Sequence, residues 1–240
     1  MSAALKYRRV ILKLSGEALM GDRGFGIDAA FVDRIAGEIG EAVALGAQIG
    51  VVIGGGNIFR GVSVAAEGGD RVSGDHMGML ATVINSIAIH GALTRAGVAA
   101  QVLSALPVPT ICETFSQRAA EAALDAGRVV LFAGGTGNPF FTTDSGAALR
   151  ASEMRCDALL KATQVDGVYT ADPKKDPTAT RYDRLSYQEA LSKGLGVMDT
   201  AAFALARDNG IPIIVFSIHE AGSIVEAICG RGRSTVVGDI

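Results

Sequence analysis

Val129-Val-Leu-Phe-Ala-Gly-Gly-Thr-Gly-Asn-Pro-Phe-Phe-Thr-Thr-Asp144 is the stretch that decides the fold. Its first five residues are uninterrupted apolar, which predicts a buried strand. A loop of Gly, Thr, Asn and Pro follows and ends on Asp144, directly before the helical pattern Ser145-Gly-Ala-Ala-Leu-Arg-Ala-Ser-Glu-Met154. A strand that empties into a glycine-rich loop and then a helix N-terminus is where α/β proteins bind anions. Free backbone N–H groups and the helix dipole point at the same spot there. Asp144 has two readings: a cap on the helix or a site residue. Phe140 and Phe141 beside Thr142 and Thr143 form an apolar wall with hydroxyl handles, the composition of a ligand pocket.

The same strand-to-loop-to-helix grammar extends in both directions. Arg9-Val-Ile-Leu-Lys-Leu14 predicts a first strand, with Lys13 near its carboxyl end beside Ser15 and Gly16. Lys13 is either a solvent-facing lysine of an alternating strand or a cation held above the sheet edge where ligands bind. Asp28 is placed to cap a helix over about 29–45, closed by Gly46. Gln48-Ile-Gly-Val-Val-Ile53 reads as a strand buried on both faces and runs into Gly54-Gly55-Gly56-Asn57 with Arg60 just beyond. Three glycines let a phosphate approach the backbone, and Arg60 could grip the same anion with its fork; a tight turn is the plainer alternative. The polar excursion 61–74 then leads to Asp75, placed as the cap of a long helix to about Arg95. The spacing favours the cap, and Asp75 could also accept bonds from sugar hydroxyls. Thr114-Phe-Ser-Gln117 and Ser186-Tyr-Gln-Glu189 have the form of capping boxes, and Asp199 is placed to cap a helix to Asn209. Further strands are expected at Ala100–Leu103, Ala158–Ala162, Ile213–Phe216 and Thr235–Val237, and 170–180 is a loop carrying two Asp-Pro pairs. The alternation predicts one α/β domain with a mostly parallel sheet, its two lobes meeting across the sheet edge.

Composition removes several function classes. The 240 residues are 49% hydrophobic and 20% charged, which supports a sizeable core and argues against disorder. The net charge of −3 suggests no nucleic-acid partner. Cys112, Cys156 and Cys229, like His76, His90 and His219, are scattered without metal-ligand spacing. The cysteines read as buried free thiols of a reducing compartment. No stretch reaches the ~18 uninterrupted apolar residues of a membrane span, and a cytoplasmic location is expected. Neither a Gly-x-x-x-x-Gly-Lys-Ser/Thr loop nor a dinucleotide fingerprint after a strand occurs.

Six segments in order resemble the bacterial-type UMP kinases of the amino acid kinase family: Lys13-Leu-Ser-Gly-Glu-Ala18; Gly54-Gly-Gly-Asn57 with Arg60; Gly74-Asp-His-Met-Gly-Met79; Thr136-Gly-Asn-Pro-Phe-Phe-Thr-Thr-Asp144; Lys161-Ala-Thr-Gln-Val-Asp-Gly-Val-Tyr169 with Ala171-Asp-Pro173; and Val197-Met-Asp199. The resemblance spans about 9–235. It implies a three-layer αβα sandwich that transfers a phosphoryl group reversibly from ATP to UMP, giving UDP and ADP in pyrimidine nucleotide biosynthesis. It implies a UMP lobe over about 1–155, an ATP lobe over about 156–240, Mg²⁺ held mainly by the nucleotide phosphates, and a homohexamer.

Carried onto this chain, the resemblance puts Lys13, Leu14, Ser15, Gly16, Gly56 and Arg60 on the ATP phosphates, and Thr163, Tyr169 and Asp172 on the nucleoside of ATP. It puts Gly55, Asp75, Thr136, Gly137, Asn138, Pro139, Phe140, Phe141, Thr142 and Thr143 on UMP, with Asp75 at the ribose. Lys13, Arg60, Asp144 and Asp199 form the catalytic set, the aspartates orienting Lys13 and the metal rather than acting as bases. UTP is implied as an inhibitor at the UMP site. GTP activation in the family involves the loop matching Gly21, Asp22, Arg23, Gly24, Phe25 and Gly26 and charges on the helix after Asp75, where this chain has His90, Gly91 and Thr94. Gly196 stands where related sequences often have a lysine before Val-Met-Asp. Two other readings compete: a carboxylate or carbamate kinase on the same fold, and a non-catalytic nucleotide- or anion-binding protein. The Thr136–Thr143 loop with Asp75 argues against the first, and Lys13, Arg60, Asp144 and Asp199 together argue against the second.

Overall fold

The structure is a computed structural model, and it describes residues 4–21, 23–59, 69–196 and 198–239. Arg60 and Asp22, both expected at ligand sites, lie outside these residues, as do most of the excursion 61–74 and Val197.

Among the described residues, nine strands form one sheet. In chain order they are β1 (Arg9–Leu14), β2 (Gln48–Ile53), β3 (Ala100–Ser104), β4 (Glu113–Thr114), β5 (Val129–Ala133), β6 (Ala158–Thr163), β7 (Arg184–Leu185), β8 (Ile213–Ser217) and β9 (Ser234–Val237). Their spatial order is β4-β3-β5-β2-β1-β6-β8-β9-β7. All neighbours run parallel except β8 and β9, which are antiparallel. β2, β5 and β8 read as near-continuous apolar runs because helices cover both faces, and β1 and β6 each break theirs at one lysine.

The α-helices among the described residues are α1 (Ala29–Ala44), α2 (Arg71–Arg95), α3 (Gln117–Asp125), α4 (Thr143–Glu153), α5 (Tyr187–Ser192), α6 (Thr200–Asp208) and α7 (Ser223–Ile228). One core layer joins Val10, Leu12 and Leu14 of β1 to α1, α2 and α7. The other joins Ile11 of β1 to α3, α4, α5 and α6. The period-two alternation of a strand therefore sends Ile11 and Lys13 toward α4, and the three layers are α, β and α.

Three expected helix starts move. Asp70, not Asp75, caps α2, accepting from the Ser73 N–H at 2.8 Å; Asp75 sits in the second turn. Ser116 caps α3 while Thr114 lies in β4, so Thr114-Phe-Ser-Gln117 is not a capping box. Thr142 caps α4, its hydroxyl accepting from the N–H groups of Asp144 and Ser145 at 3.1 and 3.2 Å. In each case another Ser, Thr or Asp two to five residues upstream or downstream does the capping. Asp28, Ser186 and Asp199 cap as expected, Ser186 within a complete capping box.

α2 has the length and composition of a membrane span, and half of that apolar window is buried in this fold. Cys156 and Cys229 are buried as expected, whereas Cys112 is only half-buried.

Candidate active site

The carboxyl ends of β1, β2, β5 and β6 converge on the loops that the sequence singled out. Lys13 of β1 is buried, 8% exposed, which removes the solvent-facing alternative. Its Nζ lies 2.7 Å from Asp144 Oδ1. Lys161, the register partner of Lys13 on the adjacent β6, approaches Asp144 Oδ2 at 2.6 Å. One carboxylate in the first turn of α4 is thus clamped between two ammonium groups. Asp144 is not the cap of its helix; the two lysines hold its side chain.

Burial pushes the Asp144 carboxyl up, but the charges of Lys13 and Lys161 outweigh it and hold the group below the usual aspartate value. Burial pulls Lys161 down, with Lys13 adding repulsion and Asp144 opposing both. These are the signs expected for like charges sharing one counterion in a desolvated place.

Asp199 braces the cluster from α6. While capping that helix it accepts from the Ser145 hydroxyl at 2.9 Å and from the Thr142 hydroxyl. The N-termini of α4 and α6 are stitched together at one carboxylate.

The glycine loops meet at van der Waals limit. A Cβ on Gly16 would stand 2.5 Å from the Gly54 carbonyl and 2.7 Å from the Gly56 nitrogen. Gly55 lies as close to α2, where a Cβ would be 2.7 Å from the Gly78 carbonyl. Leu14 departs from expectation. Its side chain is fully buried in the core, and its carbonyl accepts the Gly54 N–H at 3.0 Å, so it holds the loop rather than a ligand. Ser15 caps the short 3-10 turn Gly16–Met20.

Two clefts flank the cluster. The first, about 270 Å³, is lined by Gly55, Asp75, Thr136, Asn138, Phe141, Thr142 and Thr143, all expected at UMP. Gly137, Pro139 and Phe140 belong to the same loop. Asp75 accepts twice from the Arg71 Nε, at 2.8 and 2.9 Å, and from the Phe140 N–H at 2.7 Å. A carboxylate offers about four acceptor positions, which leaves one for a ligand hydroxyl. Burial opposes the charge on Asp75, yet these bonds hold its carboxyl below the usual value. Phe140 has φ 71°, a left-handed backbone rare for an aromatic residue; the bond to Asp75 fixes it. The second cleft, about 540 Å³, is lined by Lys161, Thr163, Tyr169 and Asp172, and the Tyr169 hydroxyl is anchored on Asp166 at 2.5 Å. Thr143 lines the first cleft, Lys161 the second, and Asp144 stands between them.

The sequence reading missed Lys161, Arg71, Ser145 and Thr82. Lys161 had a signal: a lysine inside the apolar run Ala158-Leu-Leu-Lys-Ala-Thr163, the mirror of Lys13 in its own strand. Of the loop Gly21–Gly26, Arg23 pairs loosely with Asp28 at 3.7 Å, Phe25 is exposed, and Gly26 bonds to Asn57. No cluster of three or more His, Cys, Asp or Glu side chains forms among the described residues.

Against this geometry, the model of the amino acid kinase family matches residues 8–217. The chain belongs to the amino acid kinase family. It is 66% identical over 239 residues to a uridylate kinase of Brucella anthropi, covering the whole of both chains. A uridylate kinase of Rhizobium meliloti is 65% identical over the same length, again with full coverage of both. Among solved structures, a UMP kinase from Bacillus anthracis superposes with a TM-score of 0.92 at 41% identity, covering 97% of this chain and 96% of that one. A uridylate kinase from Archaeoglobus fulgidus gives 0.73 at 31% identity, covering 95% and 99%.

Proposed function

We propose that the protein is a UMP kinase that transfers the γ-phosphoryl group of ATP to the phosphate of UMP. The observation that carries this reading is the buried Lys13–Asp144–Lys161 cluster between two clefts, in a chain 66% identical over its full length to an enzyme named uridylate kinase. UMP occupies the cleft of Asp75 and the Thr136–Thr143 loop, in the N-terminal lobe. ATP occupies the cleft of Thr163, Tyr169 and Asp172, its phosphates reaching back to Lys13, Gly16 and Gly56.

Phosphoryl transfer asks mainly for two anions held in line and for neutralisation of the charge on the transferred group. Lys13 and Lys161 supply cations at the boundary where that group passes, and the glycine-loop amides supply fixed dipoles. Asp144, kept ionised and with both oxygens in ion pairs, is a poor base. It aims the two ammonium groups and keeps them apart. The UMP phosphate already carries an ionised oxygen, so no general base is required. Asp199 positions Thr142 and Ser145 at the N-terminus of α4. Arg60 adds a further cation in this reading. Both Asp144 oxygens sit in lysine ion pairs, and both Asp199 oxygens accept from protein donors. The centre therefore suits Mg²⁺ carried in on nucleotide phosphate oxygens rather than a protein cage. When bound, Mg²⁺ neutralises phosphate charge.

Self-association, which this reading takes to a homohexamer, is supported by the outer face of α2, where Met77, Leu80, Ile84 and Ile87 are each 43–49% exposed at helical spacing. UTP acts as inhibitor by filling the acceptor cleft, GTP acts through the Gly21–Gly26 loop, and the enzyme works in the cytoplasm.

The test is a coupled assay of product formation with ATP and Mg²⁺, comparing UMP, CMP, dTMP and acetylglutamate. Turnover confined largely to UMP is expected. Turnover of acetylglutamate instead would transfer the chain to the carboxylate kinases, and tight nucleotide binding without turnover would make it a binding protein.

A further inference from the structure

Two buried amide side chains meet where four segments converge. Asn57 follows the glycine run after β2 and is 1% exposed; Asn85, in the middle of α2, is fully buried. Each donates to the other's side-chain oxygen, at 3.0 and 2.7 Å. The second N–H of Asn85 reaches the Gly54 carbonyl at 2.7 Å, and that of Asn57 reaches the Gly26 carbonyl at 2.9 Å. The Gly26 N–H returns a bond to the Asn57 carbonyl at 3.0 Å. The Asn57 oxygen also borders Gly16, where an added Cβ would stand 2.8 Å from it.

All four amide hydrogens are used, and both oxygens accept. Of the side chains of this size only an amide carries two donors and an acceptor on one planar group. An aspartate at either place would turn donors into acceptors facing carbonyls, and a leucine would strand them. A polar pair buried this completely is costly unless fully satisfied, and packing alone would be served by apolar residues. What the pair does specifically is fix the Gly54 carbonyl. That sets the orientation of the peptide planes of the loop that the kinase reading puts beside the nucleotide phosphates.

We propose that Asn57 and Asn85 act as one positioning unit for phosphoryl transfer. They lock the Gly54–Gly56 loop to α2 and to the segment ending at Gly26. The proposal rests on the kinase reading of that loop. α2 also lines the acceptor cleft through Asp75, Gly78, Met79 and Thr82. The pair therefore ties the loop at the donor phosphates to the wall that holds the acceptor, and keeps the two substrates in line. Neither residue touches substrate; each acts through backbone atoms.

The test compares wild type with Asn85→Ser, Asn57→Ser and the double variant. Each single change replaces two N–H donors with one hydroxyl on a shorter side chain, and kcat is expected to fall about 10–100-fold. KM for ATP and UMP should move less than about threefold, since alignment rather than ground-state binding is lost. The double variant should be no slower than the worse single one. In the absence of nucleotide, amide hydrogen exchange over residues 54–57 should quicken by about tenfold in each variant. Folded variants with kcat within threefold of wild type, or losses that multiply in the double variant, would overturn the proposal. Failure of both single variants to fold would make the pair merely structural and overturn it too. Exchange separates this from the function itself: a wild type inactive on UMP defeats the kinase reading. Unchanged exchange at 54–57 defeats the positioning unit whatever the reaction.

Discussion

Lys161→Met removes one ammonium group from the boundary between the clefts and keeps the length of the side chain. The cluster of Lys13, Lys161 and Asp144 carries a net charge of +1, which this change takes to zero. A unit charge about 5 Å from the transferred phosphoryl group, at an effective dielectric constant of ~20, is worth about 3 kcal/mol. That corresponds to about 10²-fold in kcat. The fold should survive. Breaking a buried pair outright costs ~3–5 kcal/mol, but Asp144 keeps Lys13 at 2.7 Å. The loss is then about 1–2 kcal/mol, or ~2–8 °C in Tm. Steady-state UDP formation at saturating ATP and UMP measures the rate, and a thermal melt measures the fold. A kcat within threefold of wild type, with a normal melt, would refute the argument that Lys161 neutralises charge on the transferred group.

Four further outcomes follow from the same geometry. Gly16→Ala drives a methyl group into the Gly54 carbonyl and the Gly56 nitrogen; a loss of about 1–3 kcal/mol in urea unfolding and near-complete loss of turnover are expected. Asp75→Asn weakens the acceptor that faces the first cleft; KM for UMP should rise about tenfold while KM for ATP stays put, as read from initial rates. Ile84→Glu puts a charge in the exposed apolar stripe of α2 and should shift the protein to smaller species by sedimentation, with the monomer fold intact. Acid should unfold the protein through Asp144. Its folded carboxyl lies below the usual value of 3.8, so between those values the unfolded chain binds the extra proton. Stability from this group is present above about pH 4 and is lost as pH falls through the folded value. Lys161→Met raises that value, so the slope of stability against pH below 4 should be shallower in the variant, measured by denaturant melts.

The strand and loop order was legible because buried parallel strands leave nearly continuous apolar runs and because glycine loops mark where they end. Val129–Ala133 and the loop to Asp144 fall where the residues put them, and Asp28, Ser186 and Asp199 announce their helices through side-chain chemistry. The starts of α2, α3 and α4 were not legible in the same way. Asp70 and Asp75 can both cap, as can Thr142 and Asp144, and only tertiary partners decide between them. Asp144 is taken by two lysines and Asp75 by Arg71 and Phe140, so neither is left to cap. Lys161 and Asn85 were hidden for a related reason. Each is one polar residue in an otherwise apolar element, and its meaning depends on a neighbour far away in sequence: Lys13 across a parallel register, and Asn57 across the sheet edge.

The central claim is that a phosphoryl group crosses from the cleft of Thr163, Tyr169 and Asp172 to the cleft of Asp75 and Phe141, past Lys13 and Lys161. It is tested most directly by supplying ATP labelled in its γ-phosphate, with Mg²⁺ and UMP, to wild type and Lys13→Ala. The account predicts that label appears in the terminal phosphate of UDP with wild type, at a rate about 10³–10⁵-fold above the variant. Label released only as inorganic phosphate, or transfer by Lys13→Ala within tenfold of wild type, would contradict it.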